Sequence, residues 1–142
     1  MSTSRIPPDL IEAYRAAAYR VETDTATFIL HVGQACTPLA ELLAATGQSS
    51  ATFITAYNPF SQARDAATNR QANDRLRAQL MRHCKYIFPA AGVDATGTWP
   101  DEPGYLALGL TPVQAKALGV EFGQNALVRA EADGVPQLAL LR

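Results

Sequence analysis

Phe53-Ile54-Thr55-Ala56-Tyr57 is a short run of β-favouring and apolar residues that stops at Asn58-Pro59, and the stretch from there to Cys84 has the composition of one long polar helix. The remaining elements are expected to pack around this junction. Counted at helical spacing from Ala66, Asn69, Asn73, Leu76 and Leu80 share one face, with Cys84 a further turn on. Asp65, Gln71, Asp74, Arg75, Arg77 and Arg82 fall on the opposite, solvated face. Two asparagines therefore occupy positions where apolar residues would continue the stripe. A buried amide without partners costs about 1–3 kcal/mol, so this half of the helix must meet other polar groups, a water or a ligand. Asn58, preceding a proline, is expected to be extended at the strand end with its amide available for bonding.

The chain has 142 residues, enough for one domain with a sizeable core. Hydrophobic residues make up 48% and charged residues 18%, the balance of a soluble globular protein. Twelve basic and thirteen acidic side chains give a net charge of -1, so bulk charge does not draw the chain to nucleic acid or to an anionic membrane. Arg70, Arg75, Arg77 and Arg82 lie among acids and without stacking aromatics, the pattern of a solvated helix face. Cys36 and Cys84 have neither CxxC spacing nor a histidine cluster, so both are expected as reduced, buried thiols, with no metal site. No cofactor motif is present either: there is no phosphate loop and no dinucleotide fingerprint. The first residues lack the apolar run of a signal peptide, and a cytoplasmic protein is expected, monomeric or weakly homo-oligomeric.

In order, a short disordered lead precedes a helix starting at Pro7-Pro8-Asp9 and running to about Val21. A strand follows over about Ala26 to Val32, then a short helix capped by Thr37 and stopped by Gly47. The strand Ala51 to Tyr57 and the long helix come next, then a strand over about Lys85 to Phe88. An irregular stretch from Pro89 to Pro103 holds Trp99, expected to anchor the loop on the core more than to stack on a ligand. Tyr105 to Leu110, nearly continuous in apolar residues, reads as a central strand. Thr111-Pro112-Val113-Gln114 is a capping box opening a helix that turns Val113, Ala117 and Val120 inward. Ala126 to Ala130 and Leu138 to Leu141 flank Asp133-Gly134 as a β-hairpin, with Pro136 marking an edge strand. The expected fold is α+β: a lead and helix over residues 1–24, then a single α+β domain over 25–142. Its mixed or antiparallel sheet of about six strands carries helices packed on it and ends in the hairpin.

Lined up in order, Phe53-Ile54-Thr55-Ala56-Tyr57-Asn58-Pro59, Asn69, Asn73, Trp99-Pro100-Asp101-Glu102 and Glu121-Phe122-Gly123-Gln124-Asn125-Ala126 resemble the bacterial domain of unknown function 3293 family. The resemblance spans roughly residues 25 to 142. Gly104 departs from the pattern, which usually has serine there. The family has no assigned activity, so the resemblance implies a shared site without naming a reaction.

The ligand-binding candidates are Asn58, Ser61, Asn69, Arg70, Asn73, Trp99, Glu102, Gln124 and Asn125, all at element ends, where sheets gather ligands. One reading is a groove for a small polar ligand that is nucleotide-, nucleoside- or amide-like. The plainer one has the amides bond each other and exposed backbone, locking the strand-to-helix junctions. An enzyme would use Glu102 or Glu121 as acid or base, but no second group at telling spacing names a reaction or a catalytic residue. His31 and His83 lie outside the cluster, and Cys84 beside His83 reads as core. A third reading is a protein interaction module using the last edge strand or the arginine-bearing helix.

Overall fold

The computed structural model describes residues 4–142; Met1-Ser2-Thr3 of the expected lead lie outside the described residues. In chain order the elements are α1 (Pro8–Ala16), β1 (Ala18–Glu22), β2 (Thr27–His31), α2 (Thr37–Thr46) and β3 (Ser50–Ile54). A 3-10 turn (Pro59–Ser61) leads to α3 (Ala66–Met81), β4 (Ile87–Val93) and β5 (Glu102–Leu108). The chain ends with α4 (Pro112–Glu121), β6 (Ala126–Glu131) and β7 (Gln137–Leu140). The strands form one sheet in the order β2-β1-β4-β5-β3-β6-β7, with every neighbouring pair antiparallel. The fold is thus α+β with an antiparallel sheet, and it holds seven strands where about six were expected. No helix among the described residues is long and apolar enough to cross a membrane.

The additional strand is β1. The first helix stops at Ala16 instead of reaching Val21, and Ala18-Tyr19-Arg20-Val21-Glu22 pairs on both sides, with β2 and β4. Tyr19 and Val21 are buried while Ala18 and Arg20 are only partly so, a period of two that a short apolar stretch shares with a helical stripe. The irregular stretch is correspondingly shorter. β4 continues through Pro89 to Val93 because the ladder to β1 begins only at Ala90, so the nitrogen of Pro89 is not asked to donate. β5, expected to be central, lies at the middle of the sheet, and β3 beside it is buried on both faces.

The sheet curls. Its two edges approach where the Gly33 N–H donates to the Pro136 carbonyl at 2.7 Å and the Cys36 N–H to the Gly134 carbonyl at 2.9 Å. The inner face packs Phe28, Leu30, Phe53, Leu106 and Val128 against Leu39 and Leu43 of α2. The outer face packs Ile54, Ala107 and Leu127 under Leu76 and Leu80 of α3 and Ala115 and Leu118 of α4. Helix α4 has the expected capping box, with the Gln114 N–H on Thr111 Oγ1 and the Thr111 N–H on Gln114 Oε1. Its rotation differs from expectation: Val113 is 79% exposed, Val120 57%, and Ala117 is exposed as well. Ala115, Leu118, Gly119 and Phe122 face inward, because Gly119 lets Leu127 and Leu141 come close to the helix. The hairpin is as read, with Gly134 at φ +71° and β7 at the edge.

Candidate functional site

β3 loses its neighbours early. Its ladders end at Ile54↔Tyr105 and Phe53↔Val128, yet the chain runs on extended for several residues. The orphaned backbone groups are taken by side chains. Asn73 Oδ1 accepts from the Ala56 N–H at 3.0 Å, and Asn69 Oδ1 accepts from the Asn58 N–H at 2.9 Å. Four residues of helix rise about 6 Å and two residues of extended chain about 6.6 Å, so amides spaced i, i+4 can meet alternate N–H groups of the segment. Between them the Tyr57 N–H donates to Thr55 Oγ1 at 3.0 Å, and Gln124 Nε2 donates to the Tyr57 carbonyl at 3.2 Å. Asn73 Nδ2 and Thr55 Oγ1 both donate to the Pro103 carbonyl. Gly104 next to it is a close-approach glycine: a Cβ there would sit 2.5 Å from the Ile54 carbonyl oxygen, so the serine expected from the family pattern has no room.

The turn that follows is strained. Asn58 has φ +47° and ψ +64°, not the extended conformation expected before a proline, and Phe60 and Ser61 both have φ +58°. Asn58 is held there through all its polar atoms: Oδ1 accepts from the Arg64 N–H and from Asn69 Nδ2, and Nδ2 donates to Glu102 Oε2 at 2.8 Å. The α4–β6 connection docks on the same turn. The Phe60 N–H donates to the Gly123 carbonyl at 2.8 Å, and Gly123 at φ +69° has Pro59 where its Cβ would be. Three non-glycine residues in the left-handed region within four positions mark a segment fixed by its surroundings, the kind of strain that gathers at functional sites.

Beside this turn lies a cavity of about 150 Å³, at the end of the sheet's inner face and roofed by α1. Phe53, Val128 and Leu138 line its depth, Leu10 and Ala13 come from α1 and Ala17 from just after it, and Trp99 and Pro100 stand at its side. Polar groups reach it from α1, β1, the turn after β3, β5 and the α4–β6 connection. Glu102 leaves Oε1 without a donor from the described residues, and burial pushes its carboxyl pKa up against the opposing effect of the Asn58 bond. Tyr19 donates from its hydroxyl to the Tyr14 carbonyl at 2.6 Å, and burial first, then Tyr14 and Glu102, push its phenol well above its ordinary value. Tyr14 and Ser61 share a hydroxyl–hydroxyl bond, and Asn125 Nδ2 donates to Tyr14 Oη at 2.9 Å. Asn125 Oδ1 in turn accepts from Arg142 Nη1 at 3.1 Å, and that guanidinium stacks 4.4 Å over Phe60.

The amides from distant segments therefore meet at one turn, but they divide into two kinds. Asn69 and Asn73, 4% and 6% exposed, spend their bonds on backbone and, for Asn69, on the Asn58 side chain, and do not line the cavity. Asn58, Ser61, Trp99, Glu102, Gln124 and Asn125 do line it. Arg70 is not brought into the group; it is exposed on the far side of α3. Glu121 is exposed and away from the cavity, as are His31 and His83. Trp99 is not the buried anchor expected, being 56% exposed at the cavity wall, because the Asp94 carboxylate holds its loop through Thr96 and the Thr98 and Trp99 N–H groups. The sequence reading did not single out Tyr14, Tyr19, Phe53 and Thr55 for the site. Both tyrosines fall within the helix expected to run to about Val21, and only the break at Ala16 and the strand β1 bring the Tyr19 hydroxyl under the helix to the Tyr14 carbonyl. Among the described residues no cluster of His, Cys, Asp and Glu is set to hold a metal ion, and both cysteines are free and buried.

No curated protein and no solved structure matches the chain. A family model described as "Protein of unknown function (DUF3293)" matches residues 54–127, a narrower span than residues 25 to 142 but one that takes in β3's exit, α3, Glu102 and the whole Phe-Gly-Gln-Asn-Ala segment. With more than half its length matched, the chain belongs to the DUF3293 family of proteins of unknown function.

Proposed function

We propose that the chain binds a small, ring-bearing polar molecule in the cavity between α1 and the inner face of the sheet. The observation that carries this reading is Glu102: a carboxylate half-withdrawn from water, with one oxygen on Asn58 and the other without a donor among the described residues, facing walls that are largely apolar and aromatic with a few amides and hydroxyls. Pockets built to orient a small ligand combine apolar walls with a few placed polar groups in this way. A cavity near 150 Å³ is the size that takes one aromatic ring. Within the nucleotide-, nucleoside- or amide-like class, a base-like or amide-bearing ring suits it, since its N–H groups can donate to Glu102 and its carbonyl can accept from Tyr14, Ser61 or Asn125. A phosphorylated ligand suits it least, because the lining includes no lysine or arginine.

The test is a thermal-shift screen of single-ring compounds on the full chain and on Gly92→Leu. A Cβ at Gly92 meets only ordinary contacts with Tyr19 and Phe53, so leucine there fills the cavity without forcing the backbone. A ligand at a hundred times its Kd stabilises by about 2.7 kcal/mol, a rise of several degrees. Hits that vanish in Gly92→Leu support the site; the absence of hits, or hits indifferent to Gly92→Leu, counts against it. A second reading, in which Glu102 acts as acid or base on that ligand, is favoured by its raised proton affinity. It requires a compound that Glu102→Gln still binds but no longer converts.

A further inference from the structure

Building on that reading of the cavity, we infer that its ligand is an organic cation, a ring bearing a protonated amine or guanidinium-type group, with Glu102 as the counter-charge. The charges around the cavity are one-sided. Asp94 and Glu102 line it, and no lysine, arginine or histidine does. Neither nearby arginine contributes to the lining: Arg20 pairs with Glu22 and Asp101, and Arg142 stands behind the lining residue Asn125, bonded to its Oδ1 and stacked on Phe60. Asp94 holds its own loop together through Oδ2, which accepts from three donors there. Glu102 is therefore left as a carboxylate that the fold draws out of water and supplies with one neutral amide donor.

Withdrawing a carboxylate from water costs free energy unless it is paired, and a neutral N–H donor supplies a hydrogen bond without the compensating charge. A cation supplies both. The walls favour the same class. Tyr14, Tyr19, Phe53 and Trp99 bring four aromatic rings to one small cavity, and ring faces attract desolvated cations. An anion would face Glu102 and Asp94 with no opposite charge in the lining. A charge-assisted bond of this kind separates a cation from its neutral isostere by tenfold or more in affinity.

The experiment compares benzylammonium, benzyl alcohol and benzoate, three probes of nearly one shape, on the full chain at neutral pH, with the fluorescence of Trp99, the only tryptophan, and two-dimensional NMR as readouts. Benzylammonium is expected to bind at least tenfold tighter than benzyl alcohol, and benzoate weakest of the three. In Glu102→Gln, where the amide oxygen can still accept from Asn58, the tenfold advantage of benzylammonium over benzyl alcohol should fall to within about threefold. In Glu102→Asp, which keeps the charge on a shorter arm, part of it should remain. Benzyl alcohol or benzoate binding as well as benzylammonium overturns the cation and leaves the cavity standing. An amine advantage that survives Glu102→Gln overturns Glu102 as the counter-charge. No response to any of the three at millimolar concentration overturns the cation and the cavity together.

Discussion

Four residues apart on one helix, Asn69 and Asn73 stand in for a neighbouring strand. Each presents its carbonyl oxygen to a backbone N–H that the sheet has abandoned and its NH₂ to an acceptor beyond. Asn73→Ala is therefore expected to lower stability by about 2–3 kcal/mol in urea unfolding, since it strands the buried Ala56 N–H. Arg70→Ala, on the exposed face, should stay within about 0.5 kcal/mol of the parent. Glu102 makes a prediction of opposite sign. Its folded pKa is raised by burial, so its contribution to stability is fully present below the ordinary glutamate value and is lost as pH rises through the folded one. Glu102→Gln should thus raise the melting temperature at pH 8 and leave it nearly unchanged at pH 4. A lower melting temperature at pH 8 would show that Glu102 is stabilised in place. Helical spacing sufficed to put both asparagines on the buried face. It could not say which atoms they serve, because their partners lie in a turn whose left-handed Asn58 defies the usual habit of residues before proline. That habit describes a free chain, and here five hydrogen bonds on Asn58 outweigh it.

Elements rich in signal were legible, and those whose apolar pattern fits two periods were not. The capping box opens α4 and Gly47 stops α2 where the sequence says, and Asp133-Gly134 turns the final hairpin. The apolar residues of α4 fall on two overlapping stripes, Val113-Ala117-Val120 and Ala115-Leu118-Phe122. The choice between them is made by Gly119, against which Leu141 and Leu127 pack from elsewhere in the chain. Leu118→Ala is expected to cost about 2–4 kcal/mol, whereas Val120→Lys should cost under about 0.5 kcal/mol. The reverse order in a denaturant series would mean that the helix is turned the other way. Gly104→Ser should destabilise by about 1–3 kcal/mol or more, because its Cβ would press on the Ile54 carbonyl, which is backbone and cannot swing aside.

For the molecule as a whole, the sheet curls until its edges meet at the Gly33 and Pro136 backbones, and the end of that curl is closed by α1 and by the strained turn after β3. α1 contributes no fully buried residue and is tied down in part by the Tyr14 hydroxyl on Ser61 and Asn125. The cavity could not be read from sequence: it depends on the curl, and on a strand that sequence took for helix. The family's separate motifs meet here, since Asn69, Asn73, Glu102, Gly123 and Gln124 all bond the turn from Ala56 to Ser61. The most direct measurement is a crystal structure of the chain grown with the tightest-binding single-ring compound of the thermal screen. The ring is expected beside Tyr19 and Phe53, with a donor nitrogen within about 3.2 Å of Glu102 Oε1. A compound seated anywhere else, with this cavity empty, would contradict the assignment of the site.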